Sequence, residues 1–186
     1  MRPLLVALAC ALTLSACTPG SSQESGLGGY VAREGGGMVA EDERQAAPAV
    51  RAETLDGSVL DLADLKGPVL VNFWASWCGP CAQEAAHLQA AHQAYGDKGL
   101  HVVGVNVRDT AVNARSFERD FNVTFPSWHD PSASIAASFG GIGPAGLPTT
   151  ILLDDQHRVA ARLFGAVTGR RLAPYLTELL GLEASS

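Results

Sequence analysis

VLVNFWASWCGPC, residues Val69 to Cys81, decides how this chain folds. Its first half, Val69 to Ala75, is a short, continuously apolar run, the pattern of a strand buried on both faces. The chain beyond it, Ala82 to Ala94 (AQEAAHLQAAHQA), is rich in helix formers and has no Gly or Pro. Cys78 and Cys81 stand at this strand-to-helix junction, in a CxxC spacing that closes to a disulfide or opens to a dithiol with little backbone movement. Pro80 is tolerated because the first helical turn makes no use of the N–H it lacks. Unpaired N–H groups and the helix dipole favour negative charge at such a position. Cysteines at helix N-termini accordingly hold more thiolate, which is the reactive species.

The other two cysteines lie far from this pair. Arg2 opens a segment whose apolar stretch, Leu4 to Leu14 (LLVALACALTL), is too short for a comfortable membrane span. Small residues then lead to a cysteine in Leu14-Ser15-Ala16-Cys17. Residues 1–16 therefore read as a signal peptide to be left out of the fold. The tetrad resembles the bacterial lipobox, which implies cleavage before Cys17 and lipid on that residue; an ordinary secretory signal with an incidental cysteine is the alternative. Cys10 leaves with the signal, so Cys78 and Cys81 alone remain in the mature globular part. Oxidising compartments invite structural disulfides, but this one closes almost no loop and adds little chain-entropy stabilisation. Chemistry explains the pair better than stability does.

The chain has 186 residues, 47% of them hydrophobic and 17% charged, enough for one packed domain with extensions. Its net charge of −6 includes no dense basic cluster, which excludes nucleic acid as an expected partner. Residues 17–48 read as a flexible tether, with Gly28-Gly29, Gly35-Gly36-Gly37 and a charged patch but no sustained apolar period. The domain is expected over 49–182, followed by a short tail, 183–186. Asp56-Gly57 between Val50 to Leu55 and Ser58 to Leu62 marks a β-hairpin. Further strands are expected at Leu100 to Val107, Thr149 to Leu153 and His157 to Phe164. Helices are expected at Ala111 to Phe121, Ser132 to Phe139 and Thr168 to Leu180, the last with Leu172, Leu176, Leu179 and Leu180 facing inward. Strands alternating with helices predict an α/β fold, a mixed central sheet covered on both faces. Trp74 reads as core, Phe125 and Trp128 as packing, Gly140 to Gly146 as a loop, and the five histidines share no spacing.

Taken together, VLVNFWASWCGPC and Gly146-Leu147-Pro148-Thr149-Thr150, with its following apolar strand, resemble the thioredoxin superfamily and its exported ResA/TlpA-like branch. The resemblance covers about Ala49 to Leu182 and implies a thioredoxin-like fold with an N-terminal β-hairpin and a central β-α insertion over Leu100 to Phe121. It implies that Cys78 is the attacking thiolate and Cys81 the deeper, resolving thiol of a redox-active disulfide. Pro148 becomes the expected cis-proline, with Leu147 offering backbone to a substrate segment and Trp77 flanking Cys78. Cytoplasmic thioredoxin carries a buried Asp where this chain has Asn72, which cannot titrate; the ResA-like branch instead carries a Glu at the position of Glu84. Glu84 lies near one helix face with Cys81. If buried it can exchange a proton with that thiol; if solvated it only complements the helix dipole.

The resemblance further implies an extracytoplasmic, membrane-tethered thiol-disulfide oxidoreductase with no cofactor. Its expected partners are a disulfide-bearing protein such as apocytochrome c, a membrane redox partner, and the membrane itself through a lipid anchor. A disulfide-forming catalyst for exported proteins is the alternative within the class. A zinc site lacks a second CxxC, and His87 and His92 lie farther along the helix. A peroxiredoxin would place Thr three residues before its cysteine, where this chain has Ala75. A copper-binding module would use two soft thiolates, but its relatives space their cysteines by three residues and add a distant histidine.

Overall fold

The computed structural model describes residues 36–140 and 146–182. The expected signal peptide, Cys17, the tether up to residue 35, most of the Gly140 to Gly146 loop and the tail 183–186 lie outside the described residues.

In chain order the strands are β1 (Gly36–Met38), β2 (Arg51–Glu53), β3 (Val59–Asp61), β4 (Val69–Trp74), β5 (His101–Val107), β6 (Ser127–Asp130), β7 (Thr149–Leu153) and β8 (Val159–Phe164). The helices are α1 (Gly79–Tyr95), α2 (Ala111–Asp120), α3 (Ser134–Ser138) and α4 (Gly169–Leu179). Six strands form one sheet in the order β1-β8-β7-β4-β5-β6, and β2 and β3 form a separate hairpin. β4 pairs parallel with β5 and antiparallel with β7. The central sheet is therefore mixed, with α1 making the crossover that a parallel pair requires.

Each residue of β4 is buried, which explains its unbroken apolar run. Its alternation sorts the core into two layers. Val69, Val71 and Phe73 pack with Val103, Val105, Trp128 and Phe139. Leu70 belongs to the second layer, with Leu88 of α1 and Leu172 and Leu176 of α4. Asn72 shares the parity of Leu70 and is 1% exposed, which places a polar side chain under α1 and α4.

The expected elements form, with two differences in detail, both at sheet edges. α1 begins at Gly79 with Cys78 as its N-cap and Pro80 in its first turn, as expected. The expected tether loses its last part to the fold. β1 pairs with β8, and Arg44 reaches Asp154 at 3.4 Å. A Gly-Gly-Met strand has no apolar period, and a Cβ at Gly36 would sit 1.9 Å from Arg162 O, so glycine is what allows this edge to pair. β6, with the sequence SWHD, lies at the other edge where no strand was expected. Trp128 carries it into the core, fully buried, with its Nε1 donating to Leu60 O at 3.0 Å.

Candidate active site

Parallel pairing of β4 and β5 sends both chains out of the sheet at the same end, Trp74 opposite Asn106. Ala75 to Cys78 then closes a turn in which Cys78 N–H donates to Ala75 O at 3.1 Å. Cys78 caps α1, its Sγ accepting from Cys81 N–H at 3.3 Å. The two sulfurs form a disulfide with Cα atoms 5.3 Å apart. No acidic residue occupies the first turn of α1 to oppose negative charge on sulfur.

Cys78 is expected to be the open member of the pair, yet it is 6% exposed against 2% for Cys81. Both pack in a cluster with Trp74, Ala75, Ala85 and Phe117, and Leu147 packs against it. Cys81 also borders a mainly apolar hollow lined by Asn72, Trp74, Leu88, Phe117 and Phe125. A thiolate at Cys81 has poor solvation there, so forming it calls for a nearby base.

Glu84 is that nearby carboxylate. It follows Cys81 by three residues on α1 and is 1% exposed, which answers the question its sequence position left open. Asn72 Nδ2 donates to Oε1 at 2.8 Å and Val167 N–H donates to Oε2 at 2.9 Å. Asn72 Nδ2 also donates to Thr150 Oγ1 at 3.1 Å, which fixes the amide. Burial pushes the Glu84 carboxyl up to about 7, against the downward pull of the Val167 and Asn72 hydrogen bonds and the Arg171 charge. It therefore titrates near neutral pH.

This has a cost for the fold. Between the ordinary value of 4.5 and about 7 the native state binds more protons than the unfolded chain, so stability falls as pH rises through that window. Chemical denaturation of the oxidised protein is expected to show a loss of about 3 kcal/mol from this group between pH 4 and pH 8, since a shift of one unit is about 1.4 kcal/mol. Glu84→Gln is expected to flatten that slope; an unchanged slope would show that the carboxyl titrates normally.

The Leu147-Pro148 peptide bond is cis, as the resemblance implied. Pro148 is buried, and Pro148 O accepts from Gly165 N–H at 2.9 Å, tying the loop to the end of β8. Trp77 is half-exposed, its Nε1 donating to Arg108 O at 3.2 Å. Beside it stands a residue that sequence reasoning did not single out. Asp109 Oδ2 accepts from Ser76 N–H at 2.6 Å and from Asn106 Nδ2 at 3.1 Å, while its Oδ1 accepts from Thr110 N–H at 2.8 Å. The sole hint in the sequence was its place just past β5, which only the strand register turns into proximity.

Residues 44–162 match the AhpC/TSA family. The chain belongs to that family. ResA, a thiol-disulfide oxidoreductase of Bacillus thuringiensis, is 30% identical over 148 residues, 77% of this chain and 84% of that protein. The solved structure of a DsbF homologue from Corynebacterium diphtheriae superposes with a TM-score of 0.74 at 38% identity, covering 78% of this chain and 94% of that one. A secreted thiol-disulfide isomerase from Corynebacterium glutamicum gives 0.73 at 33% identity, covering 87% and 96%. The protein is a ResA-like thiol-disulfide oxidoreductase with a thioredoxin-like fold, and the similar Corynebacterium glutamicum isomerase is a secreted protein. Among the described residues no helix is long and apolar enough to cross a membrane.

Proposed function

We propose that this oxidoreductase is tethered to the outer face of the cell membrane through lipid on Cys17 and reduces disulfides of exported proteins, apocytochrome c foremost. The observation that carries the reading is the Cys78–Cys81 disulfide at the start of α1 with a buried, near-neutral carboxyl one turn away.

In the reduced protein, Cys78 thiolate attacks one sulfur of the substrate disulfide. The substrate S–S bond breaks, one substrate thiolate leaves, and a mixed disulfide forms. Cys81 passes its proton to Glu84 and attacks Cys78 Sγ. The second substrate thiolate leaves and Cys78–Cys81 re-forms, two electrons having moved to the substrate. A membrane redox partner then returns two electrons to the pair. Trp77, Leu147 and Pro148 frame Cys78 as the contact surface, with an extended substrate segment laid along Leu147 in the manner of an added strand.

A second reading, disulfide formation or rearrangement in exported proteins, draws on the likeness to the secreted isomerase. One experiment separates the two. The isolated domain is equilibrated with glutathione buffers, then offered an oxidised peptide carrying CxxCH. A potential near about −270 mV with net reduction of the peptide is expected; one near about −120 mV with no reduction selects the second reading.

A further inference from the structure

The turn that presents Cys78 is held from outside at two points, both in the loop leaving β5. Asp109 accepts the Ser76 N–H, and Arg108 O accepts the Trp77 indole N–H. Ser76 and Trp77 are the central residues of the turn closed between Ala75 and Cys78. Arg108 takes a φ of 49°, a left-handed conformation uncommon outside glycine. The loop is itself braced, since Arg108 N–H donates to Asp130 O at 3.1 Å and His129 Nε2 lies 3.2 Å from Asp109 O.

Three donors converge on the Asp109 carboxylate, which keeps it charged below the usual carboxylate range despite partial burial. An amide cannot replace it without turning an N–H2 group towards one of those donors. Cys81, Glu84, His87, His92 and Tyr95 on α1, Arg108 in the same loop, and His129 and Asp130 on β6 are the other titratable or charged groups on these elements. Of these, Arg108 is an exposed cation and Glu84 is held by Asn72 and Val167.

We propose that Asp109 is a positioning residue for Cys78: it grips the turn that presents the sulfur, and its fixed negative charge disfavours the thiolate, biasing the pair towards the disulfide and hence towards giving electrons to substrates. The inference deepens the function proposed above and rests on Cys78 being the attacking thiol. Only Trp77 lies between Ser76 and Cys78, so chain reach keeps carboxylate and sulfur within about 10 Å of each other. At a surface dielectric near 20, with salt screening over about 8 Å, that charge holds the thiolate fraction down by about twofold.

Two variants separate charge from grip by their difference. Asp109→Asn removes the charge and, at one donor, part of the grip. Ser76→Pro removes the donated N–H and leaves the charge, at a turn position that suits proline. Thiolate absorbance near 240 nm is followed against pH on each reduced protein, and mass mapping of the alkylated sulfur confirms which cysteine reports. Asp109→Asn is expected to raise the Cys78 thiolate fraction about twofold at pH values below its midpoint, an effect that shrinks at 1 M salt. In the exchange of protein disulfide plus two glutathione thiols for protein dithiol plus glutathione disulfide, its constant at pH 8 rises about twofold, or ~9 mV. Ser76→Pro is expected not to raise the thiolate fraction. A merely structural role moves both variants the same way, and that result, or an unchanged Asp109→Asn, overturns the proposal. If Asp109→Asn does not fold, a rise in thiolate for Ser76→Pro overturns it alone. Reporting by Cys81 in place of Cys78 would instead reject the nucleophile assignment beneath it.

Discussion

Replacing Cys78 by serine is expected to lower disulfide reduction by about a thousandfold or more, because no other described thiol meets the substrate first. The partner substitution behaves differently. Cys81→Ser keeps the attacking sulfur and removes the group that expels the captured substrate, so turnover stops after one attack. A stable mixed disulfide with a disulfide-bearing peptide should accumulate in Cys81→Ser and be absent from Cys78→Ser. Non-reducing mass spectrometry reads both. Equal accumulation in the two variants would mean that either sulfur can attack, contrary to the cap geometry in which only Cys78 receives an N–H from the first turn.

The second large effect is expected at Glu84. A base that takes the Cys81 proton must be ionised, so the resolving step should quicken as pH rises through about 7, where the buried carboxyl titrates. Glu84→Gln is expected to slow that step about a hundredfold at pH 7 and to move its midpoint up towards that of an unassisted thiol. Rapid-quench measurement of mixed-disulfide decay separates this from the first attack, which should be nearly unchanged. Asn72 cannot substitute, since its amide does not titrate and is occupied by Glu84 and Thr150. A variant that slows both steps equally would mark Glu84 as a packing residue only.

Several of these features were legible in the sequence because one local pattern expressed them. The run Val69 to Trp74 is apolar throughout since both faces of β4 are covered, and Asp56-Gly57 marked a turn whose Gly57 has a φ of 88°. The burial of Glu84 had a signal too. Buried Cys81, Ala85 and Leu88 follow the helical period of one face, and Glu84 falls among them. What periodicity could not say is whether a partner waits there, because Asn72 and Val167 reach it from 12 and 83 residues away.

Edges and registers were harder to read. β1 pairs through Gly36, Gly37 and Met38, residues that carry no strand pattern. β6 is four residues long and mostly polar; its place is set by Trp128 and by pairing with β5. Asp109 acquires meaning only from the register of β4 against β5, which brings Ser76 within 2.6 Å across 33 residues of sequence. Such non-local geometry leaves no trace in composition or spacing.

Brief alkylation of the reduced domain with limiting iodoacetamide at pH 7, followed by peptide mapping, tests most directly which sulfur is the nucleophile. Label is expected on Cys78 at least about tenfold over Cys81, since thiolate at the helix cap is favoured and thiolate beside the apolar hollow is not. Label found first on Cys81, or shared equally between the two, would contradict the account.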